Sequence, residues 1–221
     1  MKQGYVKVAA AVPYVKVADC YYNVERISEM VHQADAQGVE IVTFPELSVT
    51  GYTCGDLFLQ PFLLDEANAA LCQLVRDTAD TRTLVIVGMP VRVEEKLFNS
   101  AVVFQQGHIL GAIPKTYLPN YREFQEKRWF SPSDVLQYKT VRIGEHTVPI
   151  GRNILFRSER VGIGIEICED MWTPYTPGTR LSLYGAHIIF NLSASNENAG
   201  KHNYLRSIIS GLSSQGLCGY V

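Results

Sequence analysis

Three residues of complementary chemistry each follow an apolar, strand-like run. Val161-Gly162-Ile163-Gly164-Ile165-Glu166-Ile167 ends at Cys168, with Glu169 and Asp170 next. Val39-Glu40-Ile41-Val42-Thr43-Phe44-Pro45 leads to Glu46, and His108-Ile109-Leu110-Gly111-Ala112-Ile113-Pro114 leads to Lys115. A buried strand that ends in a reactive side chain presents it at the rim of a sheet, where ligands reach it. A thiol, an ammonium and a carboxylate placed in this way form a set for nucleophilic hydrolysis of an amide.

Each of the three also has a plain structural reading. A free cysteine is as often an inert buried hydrophobe, a lysine is usually solvated, and Glu46 alone would suit solvent or a cap. The thiolate is the nucleophile, and an ordinary thiol, with a pKa of about 8.5, supplies little of it at neutral pH. Glu169 and Asp170 oppose its ionisation, so a partner must come from elsewhere in the chain. Lys115 would favour the thiolate and stabilise an oxyanion. Glu46 would serve as general base, taking the thiol proton and later activating water. The recurrence of one arrangement at three strand ends favours the joint reading.

The elements that must position these residues follow from periodicity. Residues 6–12, 39–44, 83–90, 154–157, 161–167 and 186–192 read as strands, and 217–221 begins another. Residues 97–105 and 108–113 flank Gln106-Gly107 as a hairpin. Residues 135–143 and 147–150 flank a Gly144-Glu145-His146 turn. Helices are expected over 22–37, 62–79, 177–184 and 201–215. In the last, Tyr204, Leu205, Ile208, Ile209 and Leu212 share a face expected to point inward. Residues 117–134 read as a loop with one helical turn. Strands alternating with helices at both ends, and hairpins between, predict an α/β layered domain with a mixed sheet.

Composition narrows the function classes. With 47% hydrophobic and 19% charged residues, the 221-residue chain can bury a sizeable core. A net charge of −2 gives no reason to expect nucleic acid or an anionic membrane as partner. No apolar run is long enough to span a bilayer, and the N-terminal residues lack a signal-peptide pattern. Five widely spaced cysteines, with no CxxC pair, suggest reduced thiols in the cytoplasm. The scattered histidines form no metal motif, so a zinc site is not expected. The chain stops inside an apolar run, which reads as a fragment of a longer polypeptide.

Phe44-Pro45-Glu46-Leu47, Pro114-Lys115-Thr116-Tyr117-Leu118-Pro119 and Glu166-Ile167-Cys168-Glu169-Asp170 resemble the Glu-Lys-Cys triad contexts of the nitrilase, or carbon–nitrogen hydrolase, superfamily. The resemblance covers essentially the whole chain. It implies an αββα sandwich with mixed β-sheets, a thioester acyl-enzyme, and no metal or organic cofactor for this domain. A second acidic residue supports the triad in many members; Glu126 fits that pattern, with Glu123 as fallback.

A narrower resemblance rests on Leu47-Ser48-Val49-Thr50-Gly51-Tyr52 with Gly55-Asp56-Leu57-Phe58. It also rests on Leu118-Pro119-Asn120-Tyr121-Arg122-Glu123-Phe124, Cys168-Glu169-Asp170-Met171-Trp172 and Asn191-Leu192-Ser193-Ala194-Ser195. These are similar to the N-terminal glutaminase domain of glutamine-dependent NAD synthetases. That resemblance implies a glutamine substrate and ammonia passed to an ATP-using synthetase domain that amidates deamido-NAD. ATP, magnesium and deamido-NAD would belong to that domain, which residues 1–221 lack: no SGGxDS-like phosphate loop is present. Residues 1–221 then read as a single glutaminase domain, truncated at its C-terminal end. A homo-oligomer is also implied.

Carried over residue by residue, the resemblance places Tyr52, Tyr121, Glu169, Ser195 and Lys201 around the substrate, with Glu169 matched to an α-ammonium group. Lys201 stands where some members have arginine, and lysine supplies a point charge in place of a bidentate fork. Two alternatives stay open: a stand-alone amidase or nitrilase acting on another small amide, and a non-catalytic assembly module.

Overall fold

A computed structural model describes residues 4–221. Its first sheet has the order β1 (Val8–Ala10), β2 (Ile41–Thr43), β3 (Leu84–Val93), β4 (Lys96–Gln105) and β5 (His108–Pro114). β1, β2 and β3 are parallel, and β4 and β5 fold back antiparallel in turn. Two reversals leave β5 running with β2 and β3, so residues that follow β2 and β5 emerge at the same end of the sheet.

A hairpin of β6 (Thr140–Ile143) and β7 (His146–Pro149) sits beside β5, tied to it by a bridge between Ala112 and Ile150. The second sheet has β8 (Phe156–Arg157), β9 (Gly162–Ile167), β10 (Ile188–Leu192) and β11 (Gly219–Tyr220), in the order β11-β10-β9-β8.

Period-two alternation assigns the layers. Val85 and Val87 face one way with Val102, Phe104 and Ala112, against α1 (Cys20–Ala36) and α2 (Pro61–Asp77). Ile86, Ala101, Val103 and Ile113 face the other way, against Ile163, Ile165, Ile167, Phe190 and Leu192 of the second sheet. Beyond that sheet lie α3 (Pro177–Leu183) and α4 (Lys201–Gly216); Leu181 of α3 packs on Ile189 of β10. The order of layers is helix, sheet, sheet, helix, the αββα sandwich expected from the sequence. Among the described residues no helix is long and apolar enough to cross a membrane.

The helices form where their apolar spacing meets a sheet. In α1 the Asp19 carboxylate accepts from Tyr22 N–H (3.2 Å) as the N-cap, and Val24, Ile27, Val31 and Ala34 are buried at intervals of three and four. In α2, Pro61 opens the first turn, where its missing N–H is harmless, and Leu63, Ala67, Ala70, Leu71, Leu74 and Val75 are buried.

Several expected elements are trimmed. β1 covers three residues of the expected 6–12, and β8 two of 154–157. The strand expected over 135–143 is only Thr140–Ile143, because Ser133–Val135 coils into a 3-10 turn and Tyr138 stands half-exposed. The loop over 117–134 holds its expected helical turn at Glu126–Arg128. The expected inward face of α4 is not enclosed: the helix forms, but none of its residues is buried, and Tyr204 is 61% exposed. Its periodicity marks a real apolar stripe, in which Leu205, Ile208, Ile209 and Leu212 are only half-buried among the described residues.

Gly88 of β3 shows how closely the sheet approaches the turn that carries Glu46. A Cβ on Gly88 would lie 2.3 Å from Leu47 N, 2.7 Å from Pro45 O and 2.8 Å from the Glu46 carbonyl carbon. These are backbone atoms, which cannot rotate aside. Gly88→Ala is expected to destabilise the fold by about 1–3 kcal/mol, the usual range for overpacking, read as a lower urea midpoint at unchanged m-value. An unchanged midpoint would contradict this packing.

Candidate active site

Lys115 and Cys168 directly follow β5 and β9, and Glu46 lies three residues past the end of β2. Pro45 stops the β2 ladder, and the turn that follows closes through Ser48 N–H to Pro45 O (3.2 Å) and Gly51 N–H to Leu47 O (2.8 Å). Leu47 adopts φ +53° in this turn. Lys115 stays attached to the sheet edge, its N–H donating to Asn99 O (2.8 Å). Cys168 opens a 3-10 turn, Cys168–Trp172, at φ +45°. Left-handed backbone is unusual for residues that carry a Cβ and concentrates at sites where geometry is imposed by surroundings.

The centre of the cluster is Lys115, whose side chain is fully buried. Its Nζ donates to Glu46 Oε1 (2.6 Å) and to Glu126 Oε1 (2.7 Å). Both carboxylates are themselves buried. Asn99, on β4, donates from Nδ2 to Glu46 Oε1 (2.7 Å) and Glu126 Oε2 (3.3 Å). Tyr52 O–H donates to Glu126 Oε1 (2.8 Å), and Ala194 N–H to Glu46 Oε2 (3.0 Å). The fallback acid Glu123 lies elsewhere: it is exposed and accepts from the Asn196 side chain.

Electrostatics tie the thiol to this group. Burial pushes the Cys168 thiol up to about 12, and Glu46 adds to the effect; Lys115 and the Ala194 N–H oppose it. Burial alone would lower the Lys115 pKa, but the Glu46 and Glu126 carboxylates, with Cys168 beside them, outweigh it and hold the ammonium above its ordinary value. Burial and Glu46 raise the Glu126 carboxyl, while Lys115 and Tyr52 restrain it. Burial and charge together favour the neutral thiol and the charged ammonium in this cluster.

Asp170 joins the loops that carry Lys115 and Cys168. It is buried; Oδ1 accepts from Thr116 N–H (3.0 Å) and Tyr117 N–H (2.8 Å), and Oδ2 from Ile167 N–H (2.9 Å). Burial pushes its carboxyl up to about 8 against those donors. Sequence reasoning passed over Asp170 and Asn99 as site residues. A buried asparagine inside the apolar run Leu97-Phe98-Asn99-Ser100-Ala101 was the available signal.

The remaining expected residues pair among themselves and with their own loops. Tyr121 O–H donates to Glu169 (2.9 Å to Oε2), and its ring meets Phe124 edge-on at 5.9 Å. Burial and Glu169 push the Tyr121 phenol up to about 12, with smaller effects from Cys168 and Lys115. Lys201, the first residue of α4, donates to Ser195 Oγ (2.5 Å) and to Asn196 O (2.9 Å) and Oδ1. Its Nζ lies 5.4 Å from the Trp172 ring centroid. The ammonium hydrogens of Lys201 are thus occupied by its own loop. Tyr52 has its hydroxyl on Glu126 and its ring against Phe124 at 6.3 Å. Among the described residues no group of three or more His, Cys, Asp or Glu side chains is arranged to hold a metal ion.

Comparisons with known proteins point the same way as this geometry. The carbon–nitrogen hydrolase model matches residues 7–208. A glutamine-dependent NAD(+) synthetase of Mycobacterium tuberculosis is 36% identical over 223 residues, covering all of this chain and 33% of its own length. One from Aquifex aeolicus is 32% identical, covering 91% of this chain and 32% of its own. The chain thus spans about a third of the length of the curated relatives it matches.

Among solved structures, a glutamine-dependent NAD(+) synthetase from Cytophaga hutchinsonii superposes with a TM-score of 0.86 at 27% identity, over 97% of this chain and 35% of that one. An amidase from Nesterenkonia, at 17% identity and TM-score 0.73, shares the fold over 96% of this chain and 74% of its own. The chain belongs to the carbon–nitrogen hydrolase family.

Proposed function

We propose that this chain hydrolyses the side-chain amide of glutamine through Cys168 and supplies the ammonia to an NAD-forming synthetase domain. The observation that carries the reading is the buried Lys115 ammonium held between Glu46 and Glu126 and electrostatically coupled to the Cys168 thiol.

In this reading Glu46 accepts the thiol proton as Cys168 sulfur attacks the carboxamide carbon. Lys115 stabilises the oxyanion that forms. The carbon–nitrogen bond breaks, the nitrogen takes the proton from Glu46 and leaves as ammonia, and a thioester remains. Water, deprotonated by Glu46, attacks the thioester; glutamate leaves and the sulfur recovers its proton. Glu126, Tyr52 and Asn99 hold Lys115 and Glu46 in place. A raised thiol pKa suits this scheme: the proton is transferred during attack, and Glu46 need not face a standing thiolate.

Glu169 offers a carboxylate to the substrate α-ammonium, beside Tyr121. Lys201 and Ser195 offer the opposite charge and a hydroxyl, with a substrate carboxylate replacing one of the loop oxygens on Lys201. A carboxylate and an ammonium, in Glu169 and Lys201, would match the two charges of an amino-acid amide better than an uncharged amide. No step assigned to this chain draws on a cofactor; ATP, magnesium and deamido-NAD belong with the synthetase domain. The reading places the protein in the cytoplasm as a homo-oligomer.

Cys168→Ala is expected to abolish ammonia release from glutamine while circular dichroism and thermal melting stay near wild type. Glutaminase activity persisting in a clean Cys168→Ala preparation would refute the assignment. Glu46→Gln separates the two roles of that carboxylate. It removes the base, so glutamine hydrolysis should fall by about 10²–10⁴-fold. It also removes a negative neighbour that raises the thiol pKa, so iodoacetamide should label Cys168 faster than in wild type at the same pH. In wild type, labelling should rise about tenfold per pH unit between neutrality and pH 9, because the thiolate fraction does so below the pKa. Parallel loss of hydrolysis and labelling in Glu46→Gln would contradict this account.

A further inference from the structure

We propose that Glu166 and Asn191 are positioning residues for the nucleophile, acting from the face of β9 turned away from the pocket: Glu166 orients the Asn191 amide, and Asn191 holds the backbone of Cys168. The proposal rests on the reading of Cys168 as nucleophile. Ile163, Ile165 and Ile167 of β9 face the first sheet, so Glu166 points the other way, beneath α3. Its side chain is fully buried, and among the described residues no lysine or arginine pairs with it. An isolated buried carboxylate is a poor way to stabilise a core; an apolar residue of similar size serves better.

Donors alone surround this carboxylate. Gly178 N–H donates to Oε2 (2.6 Å), and a Cβ on Gly178 would lie 2.8 Å from the same oxygen, so α3 is pressed onto it. Tyr220 O–H donates to Oε1. Asn191 Nδ2 points to Oε1 (3.4 Å) and to the Tyr220 oxygen (3.3 Å), which accepts because its proton is directed at Glu166. The Cys168 N–H can only donate and so takes the Asn191 oxygen, which leaves the amide NH2 turned toward the Glu166 oxygen that also accepts from Tyr220.

That oxygen then accepts from Cys168 N–H (3.1 Å) and from Ser193 O–H (2.7 Å), and Nδ2 lies 3.5 Å from Cys168 O. Asn191 therefore faces both backbone polar groups of Cys168, which sits at φ +45°. Without this clasp a Cβ-bearing residue relaxes to negative φ, and the sulfur swings from the Lys115–Glu46 group.

The test reads the thiol directly and does not depend on which amide the site accepts. Iodoacetamide labelling of the Cys168 peptide is followed by mass spectrometry in wild type, Glu166→Gln, Asn191→Ala and the double variant, alongside kcat and KM for glutamine. Each single variant is expected to change the labelling rate and to lower kcat about tenfold or more with KM near wild type, as for a misplaced reacting atom. If Glu166 acts through Asn191, the double variant matches Asn191→Ala within about twofold. Multiplying effects, or wild-type labelling and kcat in Glu166→Gln, would overturn the proposal.

Should Glu166→Gln fail to fold, Tyr220→Phe removes a single hydroxyl from the same network. A reduced kcat at unchanged KM then supports the proposal, and wild-type kcat overturns it. If no variant or wild type hydrolyses glutamine, the labelling pattern still decides the positioning roles, and only the substrate reading fails.

Discussion

A charged lysine with no solvent contact determines much of this structure. Burying the Lys115 ammonium is unfavourable unless anions are brought to it, and two carboxylates meet it at 2.6 and 2.7 Å. Those carboxylates in turn cannot stay charged side by side without the ammonium between them. Each member makes the others tolerable, so the group is assembled together or not at all. Removing one partner of such a pair leaves an uncompensated buried charge, a loss of about 3–5 kcal/mol. Burial and the nearby Glu46 carboxylate disfavour a charged Cys168 thiolate, while Lys115 opposes them.

The fold supplies this group by topology before it supplies it by side-chain packing. Two reversals at β4 and β5 return the chain to the end of the sheet where β2 delivers Glu46. Asn99, opposite Pro90 on β3 and adjacent in space to Lys115, lies at that same end because β4 runs the other way. Its amide touches both acids. Asp170 then fastens the second sheet's turn to the first sheet's loop through three backbone N–H groups. The loops that carry Lys115 and Cys168 are thereby held to one another, and the proposed chemistry depends on such close placement of reacting groups.

Glu46, Lys115 and Cys168 stood out in the sequence because three apolar runs each end in a residue that a core would not choose, and the fold brings Lys115 and Glu46 into direct contact. The α/β class with a mixed sheet was readable because apolar strand-like runs alternate with helical periodicity, while the αββα order of layers was implied only by the family resemblance. Other features left weaker marks. Asn99 and Asn191 were visible only as polar residues inside apolar strands, a signal that says a partner exists without naming it. Leu47 and Cys168 adopt left-handed backbone, which neither residue type favours, so nothing local announces it. The periodicity of α4 correctly gave a helix and an apolar face, but periodicity reports that a face is apolar, not what lies against it. Residues 135–139 have strand composition, yet they find no neighbouring strand to complete a ladder, and composition cannot supply one.

The chemistry attributed to this pocket is tested most directly by trapping its covalent intermediate. Protein mixed with glutamine, quenched in acid within a turnover and digested, is examined by mass spectrometry at the Cys168 peptide. The account predicts an adduct with the mass of glutamine less ammonia on that cysteine, abolished by Cys168→Ala. Ammonia released at full rate with Cys168 unmodified at every quench time, and hydroxylamine failing to divert the product to a hydroxamate, would contradict it.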